Sequence, residues 1–151
     1  MILGLHHAAI AVPDIEAAVR FYGDVLGFEV VDRVTLPDGI APLARAFGLD
    51  DAGCEVRMLR KGNSFLELFE FAASLPNESD RPVNRMGITH IALASDDAEA
   101  DYARLGEAGV VFNAPLFGAA PNRFAYGRDP FDNVIELLEH DPESESGRRF
   151  D

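Results

Sequence analysis

The feature that most constrains this chain is that it repeats itself. Displaced by 83 positions, Gly4-Leu5-His6-His7-Ala8-Ala9-Ile10-Ala11 lies over Gly87-Ile88-Thr89-His90-Ile91-Ala92-Leu93-Ala94, and His7 falls on His90. The same displacement sets Asp14 on Asp97, each opening an Ala-rich stretch with apolar residues at helical spacing: Val19, Tyr22 and Leu26 in the first, Tyr102 and Leu105 in the second. The closing stretches match at a displacement of 69, where Phe65-Leu66-Glu67-Leu68-Phe69-Glu70 lies over Val134-Ile135-Glu136-Leu137-Leu138-Glu139 and Glu67 falls on Glu136. The two displacements differ by 14, so the first half carries one extra helical segment, for which Ile40–Leu49 is the natural place. That segment reads either as a cap over an opening or as a surface helix.

Each half reads as a strand, a helix and three strands. The expected elements of the first are Leu3–Val12, Ile15–Leu26, Phe28–Leu36, Glu55–Arg60 and Ser64–Phe71, with Lys61-Gly62-Asn63 turning the last hairpin. Those of the second are Ile88–Ala94, Ala98–Ala108, Val110–Asn113, Arg123–Gly127 and Val134–Glu139, with Asp129-Pro130-Phe131-Asp132 as the turn. The fold class is therefore α+β, built from two tandem βαβββ modules. Neither is large enough to stand alone, so they are expected to pair as one domain over residues 1–141. Module one spans 1–73, a Pro-, Asn- and Ser-containing linker 74–85, and module two 86–141; residues 142–151 read as a flexible tail.

Composition narrows the function. With 48% hydrophobic and 26% charged residues the chain is an ordinary globular one. Thirteen basic against 26 acidic residues leave a net charge of −13, which repels phosphate backbones and anionic lipid, so neither nucleic acid nor membrane is an expected partner. No apolar run approaches a membrane span and no basic-then-apolar leader opens the chain. The single cysteine, Cys54, has no partner for a disulfide, reads as a buried inert thiol, and with the missing leader points to a cytoplasmic location.

Four residues stand out against this background. Strand side chains alternate, so His6 and His7 point opposite ways, and the repeat selects His7. Alternation groups Glu67 with Phe65 and Phe69, and Glu136 with Val134 and Leu138. An ionised carboxylate on so apolar a face needs a positive partner, and no Lys or Arg recurs in both halves to provide one. A lone strand histidine is ordinarily a packed or surface residue, but two His and two Glu at corresponding places, in a chain with four His, point to one divalent metal ion held by His7, Glu67, His90 and Glu136. Two nitrogens and two carboxylate oxygens suit zinc, nickel, cobalt, manganese or iron. Glu70 and Glu139 also recur, on the opposite strand face, where solvent exposure is expected.

The sequence resembles the vicinal oxygen chelate superfamily, which includes glyoxalase I, methylmalonyl-CoA epimerase, extradiol dioxygenases and bleomycin-resistance proteins. The resemblance is carried by His7 in Leu-His-His-Ala-Ala-Ile-Ala-Val-Pro-Asp, Phe21-Tyr22 through Val25-Leu26-Gly27-Phe28, Glu67 in Leu-Glu-Leu, His90 in Gly-Ile-Thr-His-Ile, and Asp129-Pro130 leading to Glu136. It implies curled mixed sheets around a metal-binding cleft that chelates vicinal oxygens of a small-molecule substrate, and a homodimer is the expected assembly. Departures from the subfamilies are equally specific. Where bacterial-type glyoxalase I places an Arg for glutathione this chain has Ala11; where methylmalonyl-CoA epimerases commonly have Gln it has Glu67. Extradiol dioxygenases want a His several residues before Tyr126 and favour Gly at a turn position, but Leu116–Ala120 contains no His and the turn residue is Asp132.

The expected activity is a metal-dependent epimerase, isomerase or glyoxalase-type lyase that moves a proton next to a carbonyl through a metal-stabilised enolate, with Glu136 and Glu67 as the proton-transferring carboxylates. Tyr126 and Arg128 share a strand face, and Arg128 either clamps a substrate anion or pairs with Asp129 or Asp132 across the hairpin. Phe65, Phe69 and Met58 either line the pocket or pack in the core. The alternative functions are a metal-free small-molecule (antibiotic) binding and resistance module and an extradiol-type dioxygenase.

Overall fold

In the computed structural model, which describes residues 1–75 and 81–144, the repeat becomes two copies of one sheet. The chain divides into two units, Met1–Pro76 and Asn77–Asp151. The first contains β1 (Ala8–Ala11), α1 (Ile15–Arg20), β2 (Glu29–Leu36), α2 (Ala41–Phe47), β3 (Cys54–Lys61) and β4 (Ser64–Phe71), in sheet order β1-β4-β3-β2. The second contains β5 (Ile91–Ser95), α3 (Ala98–Glu107), β6 (Val111–Phe112), β7 (Phe117–Ala119), β8 (Asn122–Arg128) and β9 (Val134–Glu139), in sheet order β5-β9-β8-β6 with β7 also on β8. Both sheets are mixed: β1 runs parallel to β4 and β5 to β9, the other pairs antiparallel. The α+β class and the βαβββ order are as the repeat predicts. The two displacements meet in the parallel pairs, where Ala9 lies opposite Glu67 and Ala92 opposite Glu136.

Each helix begins the same way. Asp14 caps α1 by accepting from the Ala17 N–H at 2.8 Å, and Asp97 caps α3 by accepting from the Ala100 N–H at 3.0 Å. A second carboxylate comes from the last strand of the unit: Glu70 accepts from the Ile15 N–H at 2.7 Å and Glu139 from the Ala98 N–H at 3.0 Å. These are first-turn N–H groups without an intrahelical acceptor, at the positive end of the helix dipole. This overturns the expectation that Glu70 and Glu139 face solvent. Glu139 is buried, at 7% exposure, and also receives the Arg123 guanidinium at 2.6 and 3.1 Å.

The helix-facing sides of the sheets are consequently the cores. In unit one Ile15, Ala18 and Tyr22 bury with Leu59, Leu66 and Leu68; in unit two Ala98 and Leu105 bury with Ala125, Ile135 and Leu137. The faces bearing Glu67 and Glu136 are only half-buried, so the apolar neighbours seen in the sequence do not mark the core there.

Other differences have local causes. The first strand is shorter than Leu3–Val12 because its pairing with β4 runs only from Ala8 to Ala11, which leaves Met1, Ile2, Leu3 and Leu5 exposed. The helix expected over Ile15–Leu26 changes pitch after Arg20 to a π-helical turn, Phe21–Val25, in which the Leu26 N–H reaches the Phe21 carbonyl at 3.2 Å. Lys61 closes its end by donating to the Leu26 carbonyl at 2.6 Å. The strand expected at Val110–Asn113 is reduced to β6, and an additional strand, β7, joins β8 beyond Pro115; together they take the edge that β2 takes in unit one. The extra segment Ile40–Leu49 does form a helix, α2, stopped by Gly48 at φ +71°. Linker residues 76–80 and tail residues 145–151 lie outside the described residues. No helix among the described residues is long and apolar enough to cross a membrane.

The two strand carboxylates are predicted to differ in cost. Glu139→Ala strands a buried N–H and a guanidinium and should destabilise by about 2–3 kcal/mol, whereas Glu70→Ala loses one capping bond at a more open site and should cost about 1 kcal/mol. Urea denaturation of both variants measures the difference; equal losses would refute the asymmetry.

Candidate functional site

His7 stands one residue before β1 and Glu67 in the middle of β4, the strand paired with it. Their side chains meet: Nε2 of His7 lies 3.1 Å from Oε2 of Glu67. Unit two repeats the contact, with Nε2 of His90 3.1 Å from Oε2 of Glu136. Side-chain exposures of 33% and 19% in the first pair, and 26% and 13% in the second, make both accessible without being fully solvated. The other imidazole nitrogen is held too, by the preceding side chain in each case. Nδ1 of His7 lies 2.9 Å from Nδ1 of His6, and Nδ1 of His90 lies 2.7 Å from Thr89 Oγ1. Such a contact sets ring orientation and leaves Nε2 for the functional partner. His6 itself is placed by stacking on Phe65, with ring centroids 5.4 Å apart.

A nitrogen and a carboxylate oxygen turned toward one point are the donors a borderline divalent cation takes, in place of the proton that otherwise bridges them. Each unit supplies one of each. Among the described residues no group of three or more His, Cys, Asp or Glu side chains lies close enough to hold an ion.

The two pairs differ in what lies beside them. Opposite Glu67 on the neighbouring strand is Met58; opposite Glu136 is Tyr126. The Tyr126 ring meets His90 edge-on at 5.0 Å. Burial raises its phenol pKa above the ordinary value, and the charge and hydrogen bond of Glu136 raise it further. Tyr126 thus touches both members of its pair, while Met58 offers Glu67 no polar contact. Of the two expectations for Arg128, the structure shows the hairpin one: it donates to the Asp132 carbonyl at 2.8 Å and the Arg81 carbonyl at 2.7 Å, with the Asp132 carboxylate 3.6 Å away. Asp129 is buried, accepting from the Phe131 and Asn133 N–H groups, and Asp132 adopts the left-handed backbone at φ +71° where glycine would be easier.

Phe65, Phe69 and Met58 share the half-buried face of Glu67. There Phe47 of α2 packs edge-on against Phe69 and Phe71, at 6.0 and 5.9 Å, so the extra segment covers part of that face, nearer to the first of its two expected readings. The position of Phe47 carries no signal of this at helical spacing. Cys54 is buried on the same side of β3, and burial, followed by the charges of Glu55 and Glu67, pushes its thiol pKa up.

Tyr126 is predicted to ionise above the ordinary phenol value near 10, in a difference titration of the protein against Tyr126→Phe. Its folded-state pKa is the higher one, so the neutral phenol favours the folded state increasingly less well once pH passes the unfolded value; stability falls as pH rises above about 10. Glu136→Gln removes the neighbouring charge but not the burial, and should bring the pKa part of the way down. No change in that variant would show that Glu136 does not act on Tyr126.

Comparison with known proteins agrees with this architecture. Residues 4–137 match the Glyoxalase/Bleomycin resistance protein/Dioxygenase superfamily. A 2-epi-5-epi-valiolone epimerase from Actinomyces sp is 32% identical, over 90% of this chain and 79% of that protein. A mitochondrial methylmalonyl-CoA epimerase from Mus musculus is 32% identical over 64% of this chain and 48% of its own length. Among solved structures, a glyoxalase family protein from Bacillus cereus matches with a TM-score of 0.79 at 22% identity, over 91% of this chain and 94% of that one, a likeness of fold. The chain, with its repeated strand-helix-strand units and its duplicated His and Glu, belongs to the glyoxalase/bleomycin resistance protein/dioxygenase superfamily.

Proposed function

We propose that the protein is a divalent-metal-dependent enzyme of epimerase or glyoxalase-lyase type, moving a proton on the carbon next to a carbonyl of a small molecule with vicinal oxygens. The observation that carries this reading is the identical Nε2 to Oε2 contact of 3.1 Å in both units. Packing alone does not require the same reactive pair twice. Two relatives named as epimerases support the reaction class.

In this proposal His7, Glu67, His90 and Glu136 hold one ion, and their donors fit zinc, nickel, cobalt, manganese or iron. A divalent ion bound there supplies Lewis acidity, which lowers the cost of negative charge on a carbonyl oxygen. The chain's own residues do the rest. Glu136 takes the proton from carbon, since Tyr126 contacts it and fixes its direction. Glu67 is the second carboxylate, available to return a proton in an epimerisation. His7 and His90, each held at Nδ1 by the residue before it, act as anchors. The homodimer belongs to the same proposal and is read by sedimentation, as a mass near twice the 16.4 kDa of the chain.

Protein purified without chelator is expected to carry about one divalent ion per chain by elemental analysis. His7→Ala and His90→Ala should each lower metal affinity by at least tenfold. Glu136→Gln should keep the ion but slow solvent-deuterium incorporation into a ketone substrate by roughly a hundredfold, with a smaller loss for Glu67→Gln. Full metal occupancy in both His variants would refute the ligand assignment. An apo-protein that binds none of the five metals would leave a metal-free binding module in its place, and oxygen uptake with catechols and ferrous iron would make the protein a dioxygenase.

A further inference from the structure

We infer that unit two carries a ring subsite beside its His–Glu pair: Phe124 and Phe117 receive an aromatic ring of the ligand, a few bonds beyond the carbon that exchanges its proton. For the identity of that carbon the inference rests on the proton-transfer reading. The subsite itself rests on unit two and on how its sheet differs from the repeated one.

Rings follow one another along the Glu136 face of unit two. Tyr126 lies opposite Glu136, and its ring meets His90 at 5.0 Å. Phe124, two residues back along β8 and therefore on the same face, meets Tyr126 at 5.9 Å. Phe117 of β7, opposite Phe124, meets it at 5.4 Å with the ring planes inclined by 51°. The outer two rings are open, at 36% exposure for Phe124 and 70% for Phe117. Aromatic surface thus runs without a break from the reactive pair to the edge of the sheet.

The repeat shows that this opening is particular to unit two. Tyr126 opposite Glu136 corresponds to Met58 opposite Glu67, and Phe124 opposite Leu138 to Val56 opposite Phe69. In unit one the chain closes that place itself: Phe47 of α2 packs on Phe69, and Val56 is 6% exposed. Unit two has no such helix, only the short strands β6 and β7 between α3 and β8, and it sets a larger, aromatic residue at the uncovered position. Removing apolar surface from water is favourable, so a ligand ring over Phe124 and Phe117 gains there what Phe47 gains on Phe69. Two phenyl rings inclined to each other offer a third the offset and edge-on contacts that aromatic groups prefer. Phe124 is the diagonal neighbour of Glu136, about 7–8 Å away along the backbone, so a ring borne roughly four bonds from the reacting carbon reaches it while that carbon stays at Glu136.

The test uses the full chain supplied with zinc and three ketones that share one hydroxyketone head: 1-hydroxy-4-phenylbutan-2-one, its cyclohexyl counterpart and the ring-less 1-hydroxybutan-2-one. Calorimetry reads affinity, deuterium incorporation reads proton transfer separately, and sedimentation reads mass. The phenyl ketone should bind about tenfold more tightly than the ring-less one and about threefold more tightly than the cyclohexyl one. Phe124→Ala and Phe117→Ala should each weaken the phenyl ketone about fivefold and leave the ring-less ketone unchanged. Leu75→Ala, which removes another exposed apolar side chain, should alter neither. No binding of the phenyl ketone, a cyclohexyl ketone bound as tightly, or an undiminished phenyl preference in both Phe variants overturns the inference. So does a loss of dimer mass in both variants with ketone affinities intact, which gives the surface to a second copy of the chain. Phenyl preference without deuterium exchange sinks the proton-transfer reading and upholds the subsite; equal exchange from all three ketones, with no ring preference, does the reverse.

Discussion

The carboxylate that the last strand of each unit sends to the first N–H groups of its helix is the contact on which the arrangement depends. Glu70 on Ile15 and Glu139 on Ala98 tie the start of the helix to the end of the strand that pairs with the first one. That contact decides which side of the sheet the helix covers, and the buried leucines and isoleucine of β4 and β9 follow on the same side. Because strand residues alternate, Glu67 and Glu136, three positions earlier, must point the other way. A structural carboxylate and a candidate functional one are thus carried on one strand and separated by the pleat. The helix-bound carboxylate keeps the other from being drawn into the core.

On the half-buried side the units are alike in the His–Glu contact and unlike in the residue across the ladder. The His Nε2 and Glu Oε2 contacts have the same length, and each His is held at Nδ1 by its predecessor, although that predecessor is a histidine in one unit and a threonine in the other. The residue across the ladder diverges from Met58 to Tyr126, and an added helix covers part of one face only. Duplication preserves the His and Glu positions and their contact.

Arg128 shows how an attractive functional residue is absorbed by structure. A guanidinium on the same strand face as Tyr126 and Glu136 has the right chemistry to bind an anion. Its two terminal nitrogens instead satisfy carbonyls at the β8–β9 turn and in the segment before β5. The turn needs such support, since Asp132 holds a left-handed backbone and Asp129 spends its carboxylate on local N–H groups. Arg60, at the end of β3 in the other sheet, remains half exposed, 3.6 Å from Glu29.

The residues by themselves determined the repeat, the α+β class, the order of strands and helices, and the pairing of His7 with Glu67 and of His90 with Glu136. All of these are written in periodicity and in displacement along the chain, which survive without knowledge of packing. Tertiary structure decided which side of each sheet is the core. Phe65-Glu67-Phe69 and Leu66-Leu68-Glu70 are equally plausible core stripes as text, since alternation says only that they are opposite. A helix chooses between them, and it does so through a hydrogen bond over 55 residues in one unit and 41 in the other, from Glu70 to Ile15 and from Glu139 to Ala98. The same holds for Phe47 against Phe69 and for Arg128 on Arg81: contacts between residues distant in sequence leave no local pattern, because their energy depends on positions that only the folded chain brings together.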